Sequence, residues 1–303
     1  MHVPSAYFNM VVYIYANADD AVSSNIGNGG GTGFLLGVDS GDEEKPYLYA
    51  VTNAHVLEFL ETMGSTSCTI RINTQDGKTE TVDAPLADWV KHPKGDDVAV
   101  FLLKPNDNWQ YSYVLDEMLL REDYVRTDIF EEQRTMETVK IDEEDGGTER
   151  SWKEVNKIGI GTDTIMVGRF IKHGGTLKNY PVVRRGHIAM LPFEPVKQSG
   201  CEHEQEGFLV ETYSVGGFSG SPVFVQTNVN HHKAANDGNS NSTAHHEGVF
   251  LLGIDWGHFD FDGEVVASDS QNTLKIPSGM MCVLPSWQLA ELINTDAVIN
   301  GRS

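Results

Sequence analysis

Three scarcities limit what this sequence can be. The first is cysteine: Cys68, Cys201 and Cys282 are the only three in 303 residues. They are odd in number and scattered, and no pair has metal-ligand spacing, so neither a disulfide framework nor a thiolate metal site is specified. They are expected to be small buried or inert thiols in a reducing compartment. The second is long hydrophobic runs, since nothing approaches the ~20 apolar residues needed to span a bilayer. The N-terminal MHVPSAYFNMVVYIYAN has no basic stretch ahead of an apolar one. It reads as a strand of the mature fold and not as a signal peptide, which makes a cytoplasmic location the expectation. The third is positive charge: 22 Lys and Arg stand against 44 Asp and Glu, a net charge of −22. Such a surface repels phosphate backbones and anionic lipid, which argues against nucleic-acid and membrane-surface partners.

The rest is ordinary for a globular chain, 40% hydrophobic and 22% charged, with 30 Gly and 11 Pro. Its length allows one large domain or two modest ones. Runs rich in Val, Ile, Tyr, Phe and Leu at 7–17, 31–38, 47–53, 67–74, 79–84 and 98–104 read as six strands. Gly-, Asn- or Asp-bearing connections separate most of them. Short strands without helical patterns between them indicate an antiparallel sandwich or barrel. A second set of six follows at 157–170, 181–191, 207–214, 221–227, 248–256 and 277–284. Between the sets, residues 111–150 carry 13 acidic and 5 basic side chains, the pattern of a solvated, partly helical or mobile connection. The terminal LPSWQLAELIN reads as a short helix, with Ser286 as its cap and Trp287, Leu289, Leu292 and Ile293 on its apolar side. The expected fold is all-β: two six-stranded antiparallel β-barrels with a short C-terminal helix. The N-terminal barrel would span 1–106, an acidic linker or insertion 107–155, and the C-terminal barrel 156–303.

Three segments carry chemistry in combination. AVTNAHVLE places His55 at the end of a strand and the start of a short turn, HPKGDDVAVFLL places Asp96 and Asp97 just before a strand, and SVGGFSGSPVF presents Ser219 from a glycine-rich turn. A serine hydroxyl is a weak nucleophile until an imidazole can take its proton. The imidazole in turn needs a carboxylate on its other nitrogen to fix the tautomer and stabilise the imidazolium. Charge developing on a substrate carbonyl needs backbone N–H donors, and the turn through Gly217 and Ser219 can aim two of them.

The order His, Asp, Ser and the segments TNAHVL, DDVAV and GFSGSPVF resemble the chymotrypsin-like (trypsin-fold) serine proteases. With the double six-strand pattern, the resemblance covers nearly the whole chain. It is strongest to the bacterial branch of glutamyl endopeptidases and HtrA-type proteases, where GNSGSPVF is a typical form. LLGIDWGH is similar to that family's cleft strand, and PVVRRGHIAM to a strand of its C-terminal barrel. The resemblance implies Ser219 as nucleophile, His55 as general base and acid, and Asp97 as the orienting carboxylate, with Asp96 as the alternative. It implies Gly217 and Ser219 as oxyanion-hole donors, a site between the two barrels, and no cofactor or metal. One departure is Phe218, where digestive members carry an Asp that pairs with a newly cleaved N-terminus. Phenylalanine cannot make that ion pair.

The same resemblance implies a primary pocket built from Tyr213 and Ser214 and from Asp255, Trp256 and Gly257. A carboxylate at Asp255 would favour basic side chains in a protein or peptide substrate; alternatively, Asp255 faces solvent and Tyr213 closes the pocket to all but small or apolar side chains. A regulatory protein partner is a further expectation, since an unregulated intracellular protease is hazardous. Residues 228–247 form a polar insertion with His231, His232, His245 and His246, which reads as a long hairpin able to take a divalent metal or as a plain polar loop. An α/β-hydrolase is excluded, because Ser221 replaces the second glycine of G-x-S-x-G and the segment continues as a strand. The remaining alternative is a catalytically silent trypsin-fold binding module.

Overall fold

The computed structural model describes residues 3–25, 27, 29–41, 46–125, 134–144, 147–197, 204–214, 216–234, 241–267 and 270–302, without the side chains of 134–154, 230–247 and 262–275. The first unit runs α1 (Ser5–Asn9), β1 (Val11–Tyr15), α2 (Ala18–Ser23), β2 (Gly30–Val38), β3 (Tyr47–Thr52), α3 (Ala54–Thr62), β4 (Ser67–Asn73), β5 (Thr79–Pro85), β6 (Val90–Lys91), β7 (Ala99–Leu103) and β8 (Val114–Leu115). Its strands pair in the order β5-β4-β1-β2-β3-β7-β6, with β8 parallel beside β2. Among the described residues this sheet curls without closing through a further ladder.

The second unit runs β9 (Arg134–Glu144), β10 (Gly147–Asn156), β11 (Asp163–Gly168), β12 (Val182–Met190), β13 (Pro195–Lys197), β14 (Glu204–Glu206), β15 (Phe208–Glu211), β16 (Pro222–Ala234), β17 (Asn241–Ala267) and β18 (Ser270–Pro285), followed by α4 (Ser286–Ile293) and α5 (Asp296–Asn300). Strands β11-β12-β15-β18-β17-β16 are antiparallel neighbours, and β16 pairs back to β11 to close a six-stranded barrel. The chain is therefore mostly β, one closed six-stranded barrel beside a curled half-barrel sheet with a few short helices, which matches the trypsin-like double-barrel fold that its motifs imply; among the described residues the first of the two expected barrels is open.

Side-chain alternation explains how the two units stick together. All five residues of β1, VVYIY, are buried. Val12 and Ile14 point into the first unit with Leu35, Leu48 and Ala50. Val11, Tyr13 and Tyr15 point the other way, into a cluster with Phe34, Val51, Phe224, Leu251 and Leu284 that spans both units. A strand covered on both faces reads as a continuous apolar run, which is how β1 appears in the sequence. The barrel interior of the second unit is separate, filled by Met166, Ile188, Phe208, Val223 and Met281.

The acidic stretch is partly helical as expected, with 3-10 turns at Asp116–Met118 and Glu122–Tyr124, but it is packed against both units and not merely solvated. Leu115 pairs with Gly37, Leu120 N–H donates to the Leu251 carbonyl at 3.1 Å, and β9 and β10 form an antiparallel pair added outside β16. Apolar residues explain the difference: Val114, Leu119, Leu120 and Tyr124 are buried among the acids. The N-terminal strand begins at Val11, not at residue 7, because Pro4 opens a helical turn there. Ser286 is the first residue of α4 and not its cap; its hydroxyl donates to the Leu120 carbonyl at 3.2 Å, which ties the helix to that stretch. Among the described residues no helix is long and apolar enough to cross a membrane.

Candidate active site

Register brings the first two candidate residues together. In the β3–β7 ladder Thr52 faces Ala99, so the residues just after β3 lie over those just before β7. His55 sits in the first turn of α3, where Val56, Leu57 and Leu60 anchor the helix by their buried face. The short turn expected after β3 is thus a nine-residue helix. Asp97 reaches His55 twice: Oδ1 accepts from the backbone N–H of His55 at 2.8 Å, and Oδ2 lies 2.6 Å from Nδ1. A carboxylate can only accept, so the bond puts the proton on Nδ1 and leaves Nε2 as the basic nitrogen. Asn53 donates to the Asp97 carbonyl at 2.8 Å, and the Asp97 N–H donates to Oε1 of Gln205 in the second unit at 2.8 Å. Asp96 turns elsewhere, 2.9 Å from Nδ1 of the buried His92, so Asp97 is the acid paired with His55.

The Ser219 turn arrives from the second unit. Phe218 is buried in the barrel core beneath the Arg184 guanidinium, so the position that could not make an ion pair anchors the turn by packing instead. The turn is pinned to β17: Gly220 N–H donates to the Asp255 carbonyl at 2.8 Å, and Asp255 N–H donates to the Ser221 carbonyl at 2.9 Å. It also docks closely on the first unit. Gly220 has φ of +89°, and a Cβ there would overlap the Thr32 carbonyl and the Thr52 hydroxyl. Only glycine tolerates both the left-handed backbone and that approach. A Cβ on Gly31 would lie 3.0 Å from both the Ser219 carbonyl and Cγ2 of Val56, so the serine turn and the His55 helix flank one strand. Among the described residues, the Ser219 hydroxyl and the N–H groups of Gly217 and Ser219 have no hydrogen-bond partner.

Electrostatics favour a charged imidazole. Burial pulls the His55 pKa down, but the Asp97 hydrogen bond and the charges of Asp97, Asp255 and Glu58 outweigh it and leave it raised above its ordinary 6.5. Asp255 is more strongly perturbed: burial pushes its carboxyl up from 3.8 to about 7, against the opposing pull of Ser214, the Gly257 N–H and His55.

The expected pocket residues divide. Ser214, Asp255 and Gly257 form one buried knot, in which the Ser214 hydroxyl and the Gly257 N–H each donate to the Asp255 carboxylate at 3.0 Å. Asp255 has no exposed surface, so its charge does not face an open pocket as selection of basic side chains requires. Trp256 packs into the core between the units. Tyr213 is 54% exposed and available to a ligand. No group of three or more His, Cys, Asp or Glu is arranged to hold a metal among the described residues. The side chains of His231, His232, His245 and His246 lie outside them, as does Cys201; Cys68 and Cys282 are buried. Sequence reasoning missed Thr32, Asn53 and Gln205, whose roles arise from contacts that no local pattern marks.

No family model and no curated protein matches the chain. A solved structure titled "Crystal structure of Deg5" is similar to it at a TM-score of 0.41 and 13% identity, over 90% of this chain and 85% of that one. At that distance the likeness carries no argument about the site.

Proposed function

We propose that the chain is a serine endopeptidase. The observation that carries this reading is the double hydrogen bond from His55 to Asp97, placed at the seam where the Ser219 turn docks with two unused N–H groups. Ser219 Oγ attacks a peptide carbonyl carbon while His55 Nε2 takes its proton. Asp97 holds the imidazolium, and the Gly217 and Ser219 N–H groups receive the carbonyl oxygen as it becomes negative. Collapse of the tetrahedral intermediate breaks the C–N bond, and the His55 proton leaves with the amine. Water then gives a proton to His55 as it attacks the ester, and collapse of the second intermediate returns that proton to Ser219 Oγ and releases the acid. These steps need no cofactor.

A fluorophosphonate probe tests the reading, because its phosphorus is attacked by an activated serine. Wild-type chain should label, Ser219→Ala should not, and His55→Ala should lower peptide turnover by roughly 10⁴. The Ser219 hydroxyl has no hydrogen bond to His55 in the unliganded chain, which is the observation favouring a silent binding module. Serine–base bonds in free enzymes often tighten only on binding substrate. Folded wild-type chain that never labels would establish the binding module instead.

A further inference from the structure

Thr32 lies outside the proposed triad, yet it is the residue of the first unit that holds the serine turn most extensively. It sits in β2 with no exposed surface. Its backbone N–H donates to the Ser219 carbonyl at 2.9 Å. Its hydroxyl donates to the Gly217 carbonyl at 2.8 Å and accepts from the backbone N–H of Arg169 at 3.1 Å. Its own carbonyl accepts from the Thr52 hydroxyl at 2.8 Å, three residues before His55.

The direction of the hydroxyl bond is forced. A hydroxyl has one proton to give, an amide N–H can only donate and a carbonyl can only accept. Arg169 therefore orients the Thr32 proton onto Gly217. The two carbonyls that Thr32 holds belong to Gly217 and Ser219, the same two residues whose N–H groups are unused. Gly217 needs such a hold more than most residues would. At φ of +94° it is a glycine in left-handed backbone, with no side chain of its own to resist rotation.

We propose that Thr32 is the positioning residue of the oxyanion turn: from the opposite unit it grips Gly217 and Ser219 by their carbonyls, so that their N–H groups converge on the substrate oxygen. This rests on the endopeptidase reading for its catalytic consequence, though the grip itself is open to measurement without it. Thr32 touches no reacting atom and acts only through the turn. Loss of the hydroxyl leaves the Gly217 carbonyl and the Arg169 N–H unpaired and frees one end of the turn, while the Ser219 end stays held by a backbone bond.

Thr32→Val removes the hydroxyl at nearly constant shape, and Thr32→Ser keeps it. Removal of a whole oxyanion donor costs about 10²–10³ in kcat. Releasing one end of the turn should therefore cost about 10- to 100-fold in kcat, with KM within about threefold, because the group acts on the transition state. Thr32→Ser should restore most of that loss. Independently of activity, backbone amide exchange across residues 216–221 should quicken in Thr32→Val and not in Thr32→Ser. If Thr32→Val does not fold, Thr32→Ala takes its place. Unchanged exchange and unchanged kcat in a folded variant lacking the hydroxyl would overturn the proposal. So would an equal kcat loss in Thr32→Ser, or an effect confined to KM. Failure of the endopeptidase reading has a different signature, since the wild-type chain would then neither label nor turn over peptide while the exchange difference persisted.

Discussion

Asp255→Asn should stabilise the protein, and the gain should grow with pH. The carboxyl has no exposed surface, and burial lifts its pKa from 3.8 to about 7. Between those values the folded chain retains a proton that the unfolded chain has released. Folding stability contributed by this group is therefore complete below pH 3.8 and is lost as pH rises towards about 7. At roughly 1.4 kcal/mol per pH unit of displacement, the whole window is worth about 4 kcal/mol, of which about 2–3 kcal/mol falls between pH 5 and pH 8. Asparagine keeps the packing, still accepts from the Gly257 N–H and can donate to the Ser214 hydroxyl, so the two hydrogen bonds survive while the charge does not. Urea unfolding of both proteins at pH 5 and pH 8 isolates the effect, because every other titrating group is common to the pair. The variant should gain about 2–3 kcal/mol on wild type between the two conditions. A stability difference that is the same at both pH values would show that Asp255 does not retain a proton in the folded chain, and the reasoning would fail.

Two further outcomes follow from the same geometry. His55 must be neutral to take the Ser219 proton and its pKa is raised above 6.5, so the acid limb of kcat/KM should lie above that value. A wild-type limb below 6.5 contradicts the assignment. Gly220→Ala combines a left-handed backbone with a Cβ overlapping the Thr32 carbonyl. It should cost more than about 3 kcal/mol in denaturant unfolding together with probe labelling, and retention of both would show that the turn does not dock as described.

Much of the fold was legible because its strands are covered on one or both faces. Runs such as VVYIY and GTGFLL announce themselves by apolar β-branched and aromatic content. Strands β13 and β14 escaped notice because three residues each, with one buried, leave no period to detect. Helix α3 was read as a turn because five of its first seven residues are apolar and follow closely on a strand. His55, Asp97 and Ser219 stood out because the chemistry restricts residue type. The resemblance favoured Asp97, but setting Asp96 aside needed its pairing with the buried His92, a contact that one sequence does not contain. Asp255 looked like a pocket charge by position; its burial comes from the return of β17 over the serine turn, a contact between segments more than thirty residues apart.

The least legible feature, the seam itself, decides whether the candidate residues meet at all. Arg169 and Arg71 are both without exposed surface, and no carboxylate pairs with either among the described residues. Arg71 instead donates to the Gly175 and Thr176 carbonyls at 2.9 Å each, while Arg169 lies over the Tyr15 ring at 4.1 Å. Burying guanidinium groups without counter-ions is expensive, and it is sustained by carbonyl acceptors and aromatic faces only when these are held in place. Those acceptors sit on the segment after β11 of the second unit, and the rings on β1 of the first. Separation of the units would strip Arg169 of the Ser24 carbonyl and the tyrosine rings and leave Arg71 only the Tyr15 hydroxyl of its own unit. The same segment carries the Arg169 N–H that orients Thr32, so the contacts binding the units and the contacts holding the Ser219 turn share one stretch of backbone. Docking and site formation are thus a single event, and a substitution that loosens Arg169 from Tyr15 acts on the turn without touching it.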